Sequence, residues 1–98
     1  MFAVIGRVQI KPGQEELTRQ MIADNGVALI RGMQGAKHAY WSRSLAASSE
    51  LIQHSFWLFD TEEHARAAEQ TFNSLRDMPE APAIYVSGDV CGVIGEVS

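Results

Sequence analysis

Cysteine is nearly missing from this chain: Cys91 stands alone. That excludes an intrachain disulfide framework and leaves no cysteine set for a structural zinc. Proline is scarce, with three residues, and no segment is repeated or biased in composition, so disorder is not expected. No apolar run reaches the roughly 20 residues needed to span a bilayer, and the strand-like pattern begins at Phe2 without a basic leader. Positive charge is thin as well. Eight Lys plus Arg stand against twelve Asp plus Glu, a formal charge of −4, and the basic residues are scattered from Arg7 to Arg76. Nothing there holds a phosphate backbone or an anionic surface, so neither nucleic acid nor membrane is an expected partner. The glycines match no phosphate-binding fingerprint, and His38, His54 and His64 fall on different elements, so no metal or cofactor is expected. These exclusions leave a single domain, 1–98, in a reducing and cytoplasmic setting.

What is present is strong periodicity. Residues 2–11 alternate, with Phe2, Val4, Gly6, Val8 and Ile10 on one side, which predicts a strand with one face in a core. Lys11-Pro12-Gly13 breaks it, and Gly13 with Glu16 three residues on marks a helix start. Along that first helix Leu17, Met21, Ile22, Ala28, Leu29 and Met33 share one broad side, and Asn25-Gly26 predicts a kink. Residues 36–44 read as a second strand, and Ala46-Ala47-Ser48-Ser49-Glu50 as a hairpin loop. The third strand, Leu51 to Phe59, is apolar on both faces: Ser55, Trp57 and Phe59 on one, Ile52, His54, Phe56 and Leu58 on the other. Asp60 and Glu63 then stand in the cap-to-N3 relation that opens a second helix, whose stripe is Ala65, Ala68, Phe72 and Leu75. Pro79 and Pro82 end it. Residues 83–97 form a long last strand, with Ile84, Val86 and Val90 on one side and Tyr85, Ser87 and Asp89 on the other.

The order βαββαβ, with right-handed crossovers, predicts an α+β, ferredoxin-like four-stranded antiparallel sheet with two helices on one face. A helical layer covers only one face of a sheet. The other, carrying Ile5, Arg7, His54, Phe56 and Leu58, is too apolar for water, so a homodimer is expected through this open face, with the last strand reaching across.

Three stretches resemble the antibiotic biosynthesis monooxygenase-like branch of the dimeric α+β barrel superfamily: Ile10-Lys11-Pro12-Gly13, the Gly35 turn into a strand ending Arg43-Ser44, and Phe59-Asp60-Thr61-Glu62-Glu63-His64-Ala65. The resemblance covers nearly the whole length. It implies a dimeric barrel with a pocket between sheet and helices, and a cofactor-independent monooxygenase acting on an aromatic or quinol-type small molecule. The oxygenases of that branch carry an Asn four residues before a Trp on strand three. Ser55 and Phe59 occupy those places here, and the tryptophan comes two residues early, at Trp57. The haem-degrading pattern is not met, because Gly6 and the region of Ala68 stand where its Asn and His would be.

Candidate site residues follow from type and position. A general base near neutral pH is most simply a histidine, and His64, beside the helix start, and His38 are the candidates. Ser55 and Tyr85 are candidate hydrogen-bonding partners, and Trp57 and Phe59 candidate walls. Tyr40 shares a face with His38, and Trp41 shares the opposite face with Arg43; either pair can line the pocket. The blander alternatives are a surface His64 and aromatics that simply fill a small core. A non-catalytic binding or structural dimer, or an isomerase or lyase using a His base, are the competing functions.

Overall fold

A computed structural model describes residues 1–45 and 51–97, so the expected hairpin loop at 46–50 lies outside the described residues. Four antiparallel strands, β1 (Phe2–Ile10), β2 (Ala36–Arg43), β3 (Leu51–Phe59) and β4 (Ala83–Gly92), form one sheet in the order β2-β3-β1-β4. β1 and β3 pair in perfect register from Phe2 opposite Phe59 to Ile10 opposite Leu51. The helices α1 (Glu15–Met21), α2 (Val27–Arg31) and α3 (Glu62–Asn73) lie on one face. Among the described residues no helix is long and apolar enough to cross a membrane.

The first helix is α1 and α2 joined by a π-helical turn, Ile22–Gly26, where the sequence predicts a kink. A π turn holds an extra residue per turn and so shifts the phase of everything downstream. One expected core residue downstream therefore moves: Leu29 is 50% exposed while its neighbour Ile30 is buried; Leu17 and Met21, also expected in the core, precede the turn and are exposed as well. Its start differs too. Gln14, not Gly13, is the residue before the helix, and Gly13 instead takes φ +80 in the turn, a conformation glycine adopts without strain.

α3 begins one residue later than the Asp60 cap the sequence suggests. Thr61 is extended and its hydroxyl accepts from the His64 amide at 3.2 Å. Asp60 is held in the corner instead: its amide donates to Gly35 carbonyl oxygen at 3.0 Å, and its carboxylate Oδ1 lies 2.6 Å from His64 Nδ1. β4 is shorter than 83–97, ending at Gly92, and the 2.9 Å bond from Val93 nitrogen to Met1 oxygen is the last pairing β1 can offer. A register shift between Arg7 and Val8 also resets its alternation. Tyr85 and Val90 are consequently on the helix side together, opposite Val8 and Val4.

The core sits under α3. Ala65, Ala68 and Phe72 are buried against Val4, Val8, Trp57 and Phe59. Small residues permit this approach: a Cβ on Gly6 would fall 2.2 Å from Phe72 Cζ, and one on Gly88 would fall 2.8 Å from Phe72 Cδ1. No such closure exists beneath the first helix.

Candidate functional site

The gap under the first helix is a cavity of about 670 Å³. Its roof is the first helix, with Thr18, Met21, Ile22 and Leu29. Its floor is the helix-facing side of β3, where period-two alternation turns Gln53, Ser55 and Trp57 the same way. Trp41 of β2 and Phe72 of α3 close two sides. The rings meet edge to face, Trp41 to Trp57 at 6.4 Å and Trp57 to Phe72 at 5.5 Å, the arrangement favoured by aromatic quadrupoles. Apart from the apolar groups, the lining offers Thr18, Asn25, Gln53, Ser55 and Thr71, all neutral.

One cation fixes the roof to the floor. Arg43 Nη2 donates to Glu15 carbonyl oxygen at 2.7 Å and to the Thr18 hydroxyl, while its Nε donates to Gln53 Oε1 at 3.1 Å. The guanidinium thus spends its donors on α1 and β3 at once. Charge-assisted bonds of this kind are roughly twice as strong as neutral ones.

The sequence-derived candidates separate into five places. Ser55 and Trp57 line the cavity. Phe59 is fully buried in the core beneath α3. Tyr85 is on the far side of Phe72, its ring 5.8 Å away, with its hydroxyl donating to Asn73 Oδ1 at 2.9 Å and accepting from Arg76 at 3.0 Å. His38 and Tyr40 stack at 6.3 Å on the open face of the sheet, where Tyr40 also meets Phe56. Strand two therefore turns Trp41 and Arg43, not His38 and Tyr40, toward the helices, because Ala39 and Trp41 pair with Trp57 and Ser55.

His64 is at the sheet end, not among the cavity-lining residues. Its Nδ1 lies 2.6 Å from Asp60 Oδ1, next to Gly35, where a Cβ would come within 2.1 Å of the carboxylate. The hydrogen bond from His64 holds the Asp60 carboxyl below the usual carboxylate range, with the His64 charge and the Thr61 amide acting in the same direction. The pair makes a braced corner between β2, β3 and α3. Gln53 and Thr18 were missed as site residues, although the parity that groups Ser55 with Trp57 also includes Gln53.

Two layers, with an antiparallel sheet ordered β2-β3-β1-β4 and its helices on one face, define a ferredoxin-like α+β protein carrying a ligand-sized cavity. The family model described as antibiotic biosynthesis monooxygenase matches residues 1–72, and the chain belongs to that family. A solved structure, HapK from Hahella chejuensis, is similar over 100% of this chain and 97% of its own, with a TM-score of 0.71 at 13% identity. At that identity the likeness concerns the fold. No curated protein matches the sequence.

Proposed function

We propose that the protein binds a planar aromatic molecule of the phenol, anthrone or quinol type in the cavity beneath the first helix and oxygenates it without a cofactor. The observation that carries the reading is the cavity itself: about 670 Å³ walled by Trp41, Trp57 and Phe72, a volume and lining suited to a small polycyclic ligand. In such a reaction the substrate is its own reductant. With an anthrone, the ring CH2 becomes a carbonyl, one oxygen atom of O2 enters the product and the other leaves as water. The protein's part is to orient the substrate and keep it dry.

The neutral lining favours a second reading, ligand binding without turnover. A histidine base, whether for the oxygenase or for an isomerase or lyase, needs His64 or His38 at the substrate, and neither is among the cavity-lining residues. Oxygen uptake with anthrone and hydroquinone separates the two main readings when paired with melting curves. Uptake that falls in Trp41→Ala supports the oxygenase; a ligand-dependent rise in melting temperature with no uptake supports the binding protein. Neither response across the panel removes both.

The open sheet face is proposed to pair with a second copy. It presents Tyr40 at 62% exposure together with Ile84 and Val86, next to the half-buried Phe56 and Leu58. Light scattering at micromolar concentration is expected to give twice the monomer mass, and the monomer mass would contradict it.

A further inference from the structure

A second hollow, of about 420 Å³, lies at the end of the sheet where Ile10 faces Ala83, away from the His64 corner. Two cations reach it from different elements. Lys11, just past β1, has its Nζ fixed by a 2.6 Å bond to Pro79 carbonyl oxygen. Arg76, in the turn that follows α3, stands over the Tyr85 ring with its guanidinium carbon 4.8 Å from the centroid, and its Nη2 donates to the Tyr85 hydroxyl at 3.0 Å. Asn73 holds that hydroxyl from the other side. An ammonium has three N–H donors and a guanidinium five, so these bonds leave most of both sets free. The ion pairs among the described residues use Arg19, His64 and Arg66, so neither Lys11 nor Arg76 has a carboxylate partner there. Asp77 and Glu80, exposed on the same turn, are not among the lining residues. Leu75, Met78 and Ala83 supply apolar walls.

We infer that this hollow is a second ligand site, which takes a small carboxylate with a flat apolar body, the charge held by Lys11 and Arg76 and the body lying against Tyr85. It does not depend on what the larger cavity binds. The two oxygens of a carboxylate lie in one plane and match the fork of a guanidinium, while an ammonium accepts either of them as a point charge. Both cations are oriented in advance, one by Pro79 and one by Tyr85, which lowers the ordering cost of binding. The whole chain carries a formal charge of −4, so two cations converging on a hollow that no acid lines reverse the local sign and draw an anion there. The flat body follows from the walls, since a tyrosine ring and a methionine thioether both pack well on an aromatic face. The volume suits an acid of one ring. The larger cavity has a different character: its polar lining is neutral, and Arg43 is already engaged by Glu15, Thr18 and Gln53. The two spaces adjoin at Leu75 and Ala83, which line both. Tyr85, a candidate ligand residue that the larger cavity leaves out, has its place here.

The test uses benzoate and benzamide, which share a ring and a planar head group and differ in charge. Titration of the whole ¹⁵N-labelled protein at low salt, followed by NMR, is expected to show benzoate binding about fivefold tighter than benzamide, with peak shifts at Lys11, Arg76, Met78 and Tyr85. Raising sodium chloride to about 0.5 M is expected to shrink that preference at least about twofold, as screening of exposed charges requires. In Arg76→Gln the preference is expected to fall toward one while benzamide affinity changes by less than about twofold, and Arg76→Lys, which keeps the charge and loses the fork, is expected to fall between. Equal affinities for the two probes in wild type, or a preference unchanged in Arg76→Gln, overturns the proposal. So do benzoate shifts confined to Thr18, Gln53 and Ser55, which put the anion in the larger cavity, and the absence of any shift up to about 50 mM benzoate. If Arg76→Gln does not fold, the salt series and Lys11→Gln, expected to lower the preference about twofold, decide the matter.

Discussion

The two helices of this protein face the same sheet in opposite ways. α3 is pressed onto it: Ala65, Ala68 and Phe72 are buried, and the sheet gives way beneath Phe72 through Gly6 and Gly88. The first helix stands off. Thr18 and Ile30 are its buried residues, its apolar Leu17, Met21 and Leu29 are exposed, and a polar strap at Arg43 holds it over a cavity. One half of a single sheet face is therefore core and the other half floors a cavity, the proposed ligand site. What separates them is side-chain size on the sheet: glycine under α3 permits contact, whereas Trp41 and Trp57 hold the first helix away.

The largest expected difference between the halves comes from Phe72→Ala. It removes a buried ring from the centre of the α3 core and should cost about 3–5 kcal/mol in denaturant unfolding. A loss below about 1 kcal/mol would mean the two halves are packed alike. Next is Arg43→Ala, which releases the strap and leaves the buried Gln53 amide without its partner; about 1–2 kcal/mol is expected. Amide exchange sharpens that variant, since Glu15–Met21 should open while Glu62–Asn73 keeps its protection; uniform acceleration would deny the strap its role.

Smaller is the acid response of the sheet corner. The folded Asp60 carboxyl titrates below its unfolded value, so its ionised form contributes stability above the unfolded carboxylate range, and that contribution is lost as pH falls through the folded value. Asp60→Asn should therefore flatten the melting profile between about pH 5 and pH 2, and a profile identical to wild type there would remove the corner from the account. Smallest of all is Leu29→Gln in the cavity roof, where the side chain is half exposed; it is expected to change unfolding stability by less than about 0.5 kcal/mol. A loss near 2 kcal/mol would show Leu29 to be core after all.

Much of the packed half was readable in the sequence. Clean alternation from Phe2 to Ile10 marks β1, and the stripe Ala65, Ala68, Phe72 marks α3, because helix and strand periods differ and these segments are long enough to show it. The cavity half was harder. Core and cavity wall both use apolar and aromatic side chains, so nothing local in Trp57 or Phe59 says that one lines a space and the other fills one. β2 has mixed polarity on both faces, and only its pairing with β3 decides that Trp41 turns inward. Thr61, not Asp60, caps α3, and the Asp60 amide is tied instead to Gly35, a contact 25 positions away that no local pattern contains. The π turn likewise moved Ile30 into the place that a uniform helix gives to Leu29.

The claim that one half of the sheet is a receptor is tested most directly by hydrogen exchange with and without saturating anthrone. The account predicts slowed exchange across Glu15–Arg31, which roofs the cavity, and unchanged exchange across Glu62–Asn73, which is already packed. Protection confined to Glu62–Asn73, or no protection in either helix, would contradict it.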